Sequence, residues 1–137
     1  MGICSTTYGD LVCRGCKRFA HEIDQWNGYD DGQRQLVWER LYKLREGAVQ
    51  AHLRIHDETR LMARAAAYRI PDLASLDVAN VAYEVIRRAG RESDLAALGI
   101  AALQAAGSAL ELYERVEGEL YRRAKAQYER DFHVPVE

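Results

Sequence analysis

The three cysteines of this 137-residue chain all lie within its first sixteen residues, at Cys4, Cys13 and Cys16. Cys13 and Cys16 form a CxxC pair, which is the spacing at which a tight turn presents two sulfurs to one metal ion. Gly15 lies between them and can adopt a left-handed backbone conformation at little cost. Cys4 is nine residues before Cys13, and a loop of that length can bring back a third sulfur. We therefore expect metal binding rather than three unconnected thiols.

A closed structural zinc site has four protein ligands, so the three thiols need one more. His21 follows the CxxC pair closely and completes a Cys₃His set, which consists of Cys4, Cys13, Cys16 and His21. In the alternative, His21 is a surface histidine, and Tyr8, Asp10, water or another chain supplies the fourth ligand.

Three basic side chains surround the cysteine pair, namely Arg14, Lys17 and Arg18. Together with the amino end of the following helix, they could offset the negative charge that three thiolates leave around one Zn²⁺ ion. They are also the candidate contacts for a partner, either a protein or RNA.

Cysteine-dominated sites suit both zinc and iron–sulfur clusters. The compact spacing, with at most one histidine to complete the set, fits one zinc ion better than a cluster. A cluster normally needs more sulfurs and more room. Zinc is therefore the predicted cofactor, and an iron–sulfur cluster is the alternative.

A longer pattern surrounds the cysteine pair in the stretch VCRGCKRFAHEIDQW: a CxGC knuckle, a basic residue, then EI and a tryptophan. The positions that carry it are Cys13, Gly15, Cys16, Arg18, Glu22, Ile23 and Trp26. This pattern resembles the bacterial domain of unknown function 1289 family, often labelled predicted iron–sulfur proteins, and continues weakly through DDGQRQLVWERL. The resemblance covers about the first third of the chain and implies metal binding and a bacterial source.

One ligand of that family has no counterpart here. Members commonly begin with two cysteines in a CxxxC arrangement, and if Cys4 matches the second of them, the first is missing. The resemblance therefore favours His21 as the replacement ligand.

The chain holds only two prolines and is rich in alanine, leucine, arginine and glutamate after residue 30, which is a composition typical of helices. Helices must therefore position these residues. A short helix is expected from Lys17 to Trp26, and Asp30 or Asp31 can cap the next helix. A stripe at steps of three and four predicts that this next helix is long: Val37, Leu41, Leu44, Ala48, Ala51 and Ile55. The sequence HDET could break it, and Pro71 ends the pattern.

Further apolar faces predict helices over 78–89, 95–106 and 110–128. No segment shows the alternation of a strand. We expect an all-α protein in which a cysteine-rich head, residues 1–28, packs on a bundle of about four to five helices formed by residues 29–137. Trp26 and Trp38 are expected to anchor the head to the long helix.

Charge and hydropathy exclude some classes of protein. The formal net charge is −2, so no large one-sided field favours nucleic acid. The apolar runs are too short to span a bilayer, and residues 1–14 lack the pattern of a signal peptide. We expect a cytoplasmic protein that does not bind membranes. Nucleic-acid binding stays an alternative, through basic groups interleaved with acidic ones at Arg87, Arg88, Arg122, Arg123 and Lys125.

His52 and His56 lie four residues apart on the predicted long helix, so both would project from one face, as paired metal ligands do. The sequence HLRIH lacks the glutamate of the HExxH motif, and an exposed polar face is the alternative to a second metal site. No serine has a glycine elbow, and no glycine-rich phosphate loop occurs.

The sequence predicts a non-catalytic zinc protein that acts as an interaction or regulatory module for a protein or RNA. The alternative functions are an iron–sulfur electron carrier or redox sensor, and a nucleic-acid-binding protein.

Overall fold

The computed structural model of the protein describes residues 12–13 and 16–132, with side chains as far as residue 130. Several residues singled out in the sequence lie outside this part of the chain, namely Cys4, Tyr8, Asp10, Arg14 and Gly15.

Five α-helices and two short strands follow one another in the described residues. Their bounds are α1 Ala20–Asp24, α2 Asp31–His52, β1 Leu53–Ile55, α3 Glu58–Ala67, α4 Val78–Ala89, β2 Ile100–Ala102 and α5 Ala109–Phe132. Short 3₁₀ turns occupy Trp26–Gly28, Leu73–Ser75 and Leu95–Leu98. The predicted predominantly α-helical bundle is confirmed. No helix in the described part of the chain is long and apolar enough to cross a membrane.

The chain divides into two compact units. The first unit comprises residues 1–44 and 119–137, and the second comprises residues 45–118. Helices α2 and α5 each contribute residues to both units. The boundary between a head and a bundle near residue 28 stays a prediction.

Helix α2 begins with a reciprocal pair of hydrogen bonds. The Gln33 amide donates to Asp30 Oδ1 at 2.7 Å, and the Asp30 amide donates to Gln33 Oε1 at 2.9 Å. This capping box satisfies two amides that the first turn leaves without helical partners. Of the two predicted caps, Asp30 is therefore the one that acts.

A two-stranded antiparallel sheet corrects the expectation that the chain has no strands. In the second unit, β1 pairs with β2 so that Leu53 lies opposite Ala102 and Ile55 opposite Ile100. The predicted helix over 95–106 is therefore wrong. A strand of three residues is too short to show alternation, and its partner lies far along the chain, so no local pattern revealed the pairing.

Gly99 makes the change from the 3₁₀ turn to β2 possible. Its φ is +79°, a left-handed conformation that favours glycine. Its carbonyl accepts the amides of His56 and Asp57 at 3.0 and 3.1 Å. The Asp57 carboxylate in turn caps α3 by accepting the Arg60 amide at 3.1 Å. The sequence left a break at HDET open, and α3 does begin there, at Glu58. The predicted stripe of α2 through Ile55 is too long, because α2 ends at His52 and Ile55 lies in β1.

The second unit also contains a buried polar contact. Tyr83 of α4 is only 3% exposed, and its hydroxyl donates a hydrogen bond to the Glu117 carboxylate of α5. The Arg45 guanidinium lies 4.6 Å from the centre of the Tyr83 ring. Burial raises the pKa of Tyr83, and the charge of Glu117 raises it further, so this phenol stays protonated.

Replacing Gly99 by alanine tests the turn between the 3₁₀ turn and β2, which packs against the start of α3. A Cβ atom there would lie 2.3 Å from the Asp57 carbonyl oxygen and 2.8 Å from the Leu61 amide nitrogen. Because both contacts are with backbone and φ is positive, we expect Gly99→Ala to lower the free energy of unfolding by about 2–4 kcal/mol in urea denaturation.

Gly28→Ala is the matched control, since a Cβ atom at Gly28 meets nothing within 4 Å. We expect it to change the free energy of unfolding by less than about 0.5 kcal/mol. Equal losses in the two variants would contradict the placement of Gly99.

Candidate metal centre

Cys13 and Cys16 lie in one closed loop, called here the knuckle loop, which spans residues 13–17. The Lys17 amide donates to the Cys13 carbonyl at 2.8 Å, and the Cys13 amide donates to the Arg18 carbonyl at 2.9 Å. Val12 and Phe19 form an antiparallel bridge just outside these bonds. Cys13 and Lys17, the two ends of the loop, are therefore held together, and Cys16 directly precedes the second end.

Lys17 turns the chain back directly after the second cysteine. Its φ is +66°, and its side chain is only 2% exposed. A left-handed conformation costs a residue other than glycine about 1–2 kcal/mol and persists only where the surroundings enforce it. Strain of this kind concentrates at functional sites, so it draws attention to the loop independently of the cysteines.

The two described thiols differ in exposure. Cys13 is 5% exposed and Cys16 is half-buried, and neither forms a disulfide. The Arg18 Nε atom donates to Cys16 Sγ at 3.3 Å, while the Arg18 guanidinium lies 4.8 Å from the centre of the Trp26 ring. This contact places a positive charge beside the sulfur, which complements the negative charge of a metal-bound thiolate.

Glu22 ties the segment after the knuckle loop to α2. Its Oε1 atom accepts the Phe19 amide at 2.7 Å and also contacts Arg40 Nη2 at 2.5 Å. Glu22 is 6% exposed, and the Arg40 guanidinium lies 3.9 Å from the centre of the Phe19 ring. One carboxylate thus caps α1 and holds an arginine of α2.

The aromatic side chains of the first unit add apolar packing to this contact. Phe19 is 1% exposed, and the Tyr128 ring of α5 meets it edge-on at a centroid distance of 5.2 Å. Trp26 and Trp38 lie 5.8 Å apart, with their ring planes at 82°. The prediction that these two tryptophans pack the residues after the knuckle loop against α2 is confirmed.

His21 lies in α1, half-buried, with its ring centre 5.7 Å from that of Phe19. Within residues 12–13 and 16–132, no three histidine, cysteine, aspartate or glutamate side chains form a group that could hold a metal ion. Cys4 lies outside the described residues. The Cys₃His set therefore stays a prediction, of which the structure places two sulfurs in one loop.

The predicted pairing of His52 and His56 on one helix face is wrong. His52 is the last residue of α2, and His56 follows β1. Pairing of β1 with β2 takes the intervening residues out of the helix, so the spacing of four no longer places the two rings on the same face.

The described residues of the knuckle loop offer donors of the type that zinc binds. It offers two thiols that are not in a disulfide, one of them nearly inaccessible to solvent, with a guanidinium beside the other. In the predicted set these two sulfurs would be half of the ligands, and Cys4 and His21 would be the rest.

Residues 1–45 match the family model described as "Protein of unknown function (DUF1289)". The DUF1289 segment contains the knuckle loop, α1 and the first part of α2, so the resemblance seen in the sequence is confirmed for the amino-terminal third. It also contains both Glu22 and Arg40. No curated protein and no solved structure matches the chain.

Sequence reasoning missed the role of Glu22, although Glu22 was part of the recognised pattern. The Glu22 side chain accepts the amide of Phe19, the N-cap of α1, but Phe19 has no side-chain oxygen to complete a capping box, so the sequence carried no clear signal of this cap. The contact with Arg40, eighteen residues later, has no local signal.

Replacing Glu22 by glutamine tests the contact that anchors the DUF1289 segment. Glutamine can still accept the Phe19 amide but removes the negative charge that Glu22 places beside the mostly buried Arg40 guanidinium. We expect the free energy of unfolding to fall by about 2–3 kcal/mol, measured by urea denaturation.

Glu114→Gln serves as the control, because Glu114 is exposed on α5. Its effect should stay below about 0.5 kcal/mol. If Glu22→Gln is as mild as Glu114→Gln, the anchoring role of Glu22 is wrong.

Proposed function

We propose that the knuckle loop binds one zinc ion and that the protein is a non-catalytic interaction or regulatory module for a protein or RNA partner. The observation that carries this proposal is the closed loop of residues 13–17, in which both described thiols lie. Two backbone hydrogen bonds hold its ends together, and Lys17 at its second end is left-handed.

Cys4, Cys13, Cys16 and His21 are the proposed ligands. Zinc, when bound, supplies folding free energy that so short a segment cannot obtain from apolar burial alone. The Arg18 guanidinium offsets the negative charge of the Cys16 thiolate. Glu22, paired with Arg40, holds the Phe19 amide just after the loop. Thiols that ligate metal must stay reduced, so the proposal places the protein in the cytoplasm.

The partner surface lies beside the loop. Lys17 is 2% exposed, so we assign its side chain to the interior of the first unit rather than to a partner. Arg14, which lies outside the described residues, and Arg18 stay the proposed partner contacts. An RNA partner predicts binding that weakens steeply as salt rises, whereas a protein partner held by apolar contacts does not.

Metal analysis of the purified full chain tests the zinc site. We expect a colourless protein with about one zinc per chain, and we expect Cys13→Ser and Cys16→Ser to lose nearly all of it. His21→Ala should lower zinc occupancy, because it removes the fourth ligand. His52→Ala is the control and should retain the full zinc content.

Two results would overturn the proposal. Zinc content unchanged by both cysteine variants would place the metal elsewhere. A brown protein with visible absorption and bound iron would replace zinc by an iron–sulfur cluster and favour an electron carrier or redox sensor.

A further inference from the structure

A cationic groove of about 360 Å³ runs between α2 and α5 within the first unit. Its lining includes Arg40, Lys43 and Leu44 of α2 and Arg123, Gln127 and Arg130 of α5. Among the side chains of the described residues that line it, four are cationic and none is a carboxylate.

Two of these cations, Arg40 and Arg123, pair with carboxylates of described residues that do not line the groove. Glu22 contacts Arg40, and Glu119 contacts Arg123 at 2.8 Å while sharing its charge with Arg122 at 3.4 Å. In the described part of the chain, Lys43 makes no salt bridge. The positive charge of Lys43 is therefore available to an anion that enters the groove.

Gln127 orders one side of the groove. Its Oε1 atom accepts a hydrogen bond from Arg40 Nη1 at 3.1 Å. The other terminal nitrogen of Arg40, Nη2, contacts Glu22. Because the amide oxygen is used by Arg40, the Gln127 amide nitrogen keeps its two donors for a ligand. Arg40 is preorganised by three contacts, which lowers the entropy cost of binding an anion there.

The spacing of the cations indicates the size of the ligand. Arg123 and Arg130 are seven residues apart on α5, which is about two turns or 10 Å. Arg40 and Lys43 face them from neighbouring turns of α2. A single phosphate is too small to contact cations at both ends of this groove, whereas a chain of phosphoryl groups can reach both. Its oxygens can also accept the paired hydrogen bonds that an arginine guanidinium donates. The volume lies in the range of small-ligand sites.

We propose that this groove binds the oligophosphate group of a small ligand, with a nucleoside triphosphate as the representative of the class. The assignment goes beyond the zinc-dependent function and does not depend on it, since no predicted metal ligand lines the groove.

Titration calorimetry of the metal-loaded full chain tests the proposal, with inorganic tripolyphosphate and ATP as separate probes at low ionic strength. We expect both to bind. Lys43→Gln and Arg130→Gln should each weaken binding about tenfold, because each removes one charge-assisted contact. Arg40 is left intact because it also holds Glu22.

Lys125→Gln is the matched control, because Lys125 is an exposed cation of α5 that does not line the groove. It should leave binding of both probes unchanged, and unchanged thermal unfolding of all three variants shows that they are folded. Absence of binding, or equal weakening by Lys125→Gln, would overturn the proposal. A single-stranded RNA oligonucleotide that binds at least tenfold more tightly than ATP would also overturn it, in favour of a nucleic-acid surface.

Discussion

The carboxylate of Glu22 is the constraint on which the first unit depends. A single oxygen accepts the Phe19 amide and the Arg40 guanidinium, so the start of α1 and the middle of α2 are fixed by one group. Removing one partner of a mostly buried charge pair leaves an uncompensated charge, which is strongly destabilising. The same arginine rests on the Phe19 ring, which joins the ion pair to apolar packing.

The knuckle loop lies just before Phe19, whose amide is held by Glu22. The Val12–Phe19 bridge and the bonds of Cys13 to Lys17 and Arg18 close the loop immediately before α1. These contacts hold Cys13 and the residues that follow Cys16 close together, which is the arrangement that the proposed site would use. The family match over residues 1–45 covers the loop and the Glu22–Arg40 pair together, whereas the helix residues that pack against Phe19 from α5 lie beyond it.

Local features were predictable from the sequence, and contacts between distant residues were not. The spacing of Cys13 and Cys16 and the cap at Asp30 follow from a few neighbouring residues, and the apolar stripe of α2 follows from helical periodicity. The β1–β2 pairing and the Glu22–Arg40 contact depend on partners far along the chain. In the described part of the loop, Lys17 adopts a left-handed conformation. Because it is not a glycine, its residue type did not predict this conformation.

X-ray absorption at the zinc edge of the full chain tests the central claim most directly, because it reports the atoms that surround the metal. The account predicts a first shell dominated by sulfur at about 2.3 Å, with one lighter ligand near 2.0–2.1 Å. A first shell of oxygen and nitrogen alone would show that the cysteines do not hold the ion and would contradict the account.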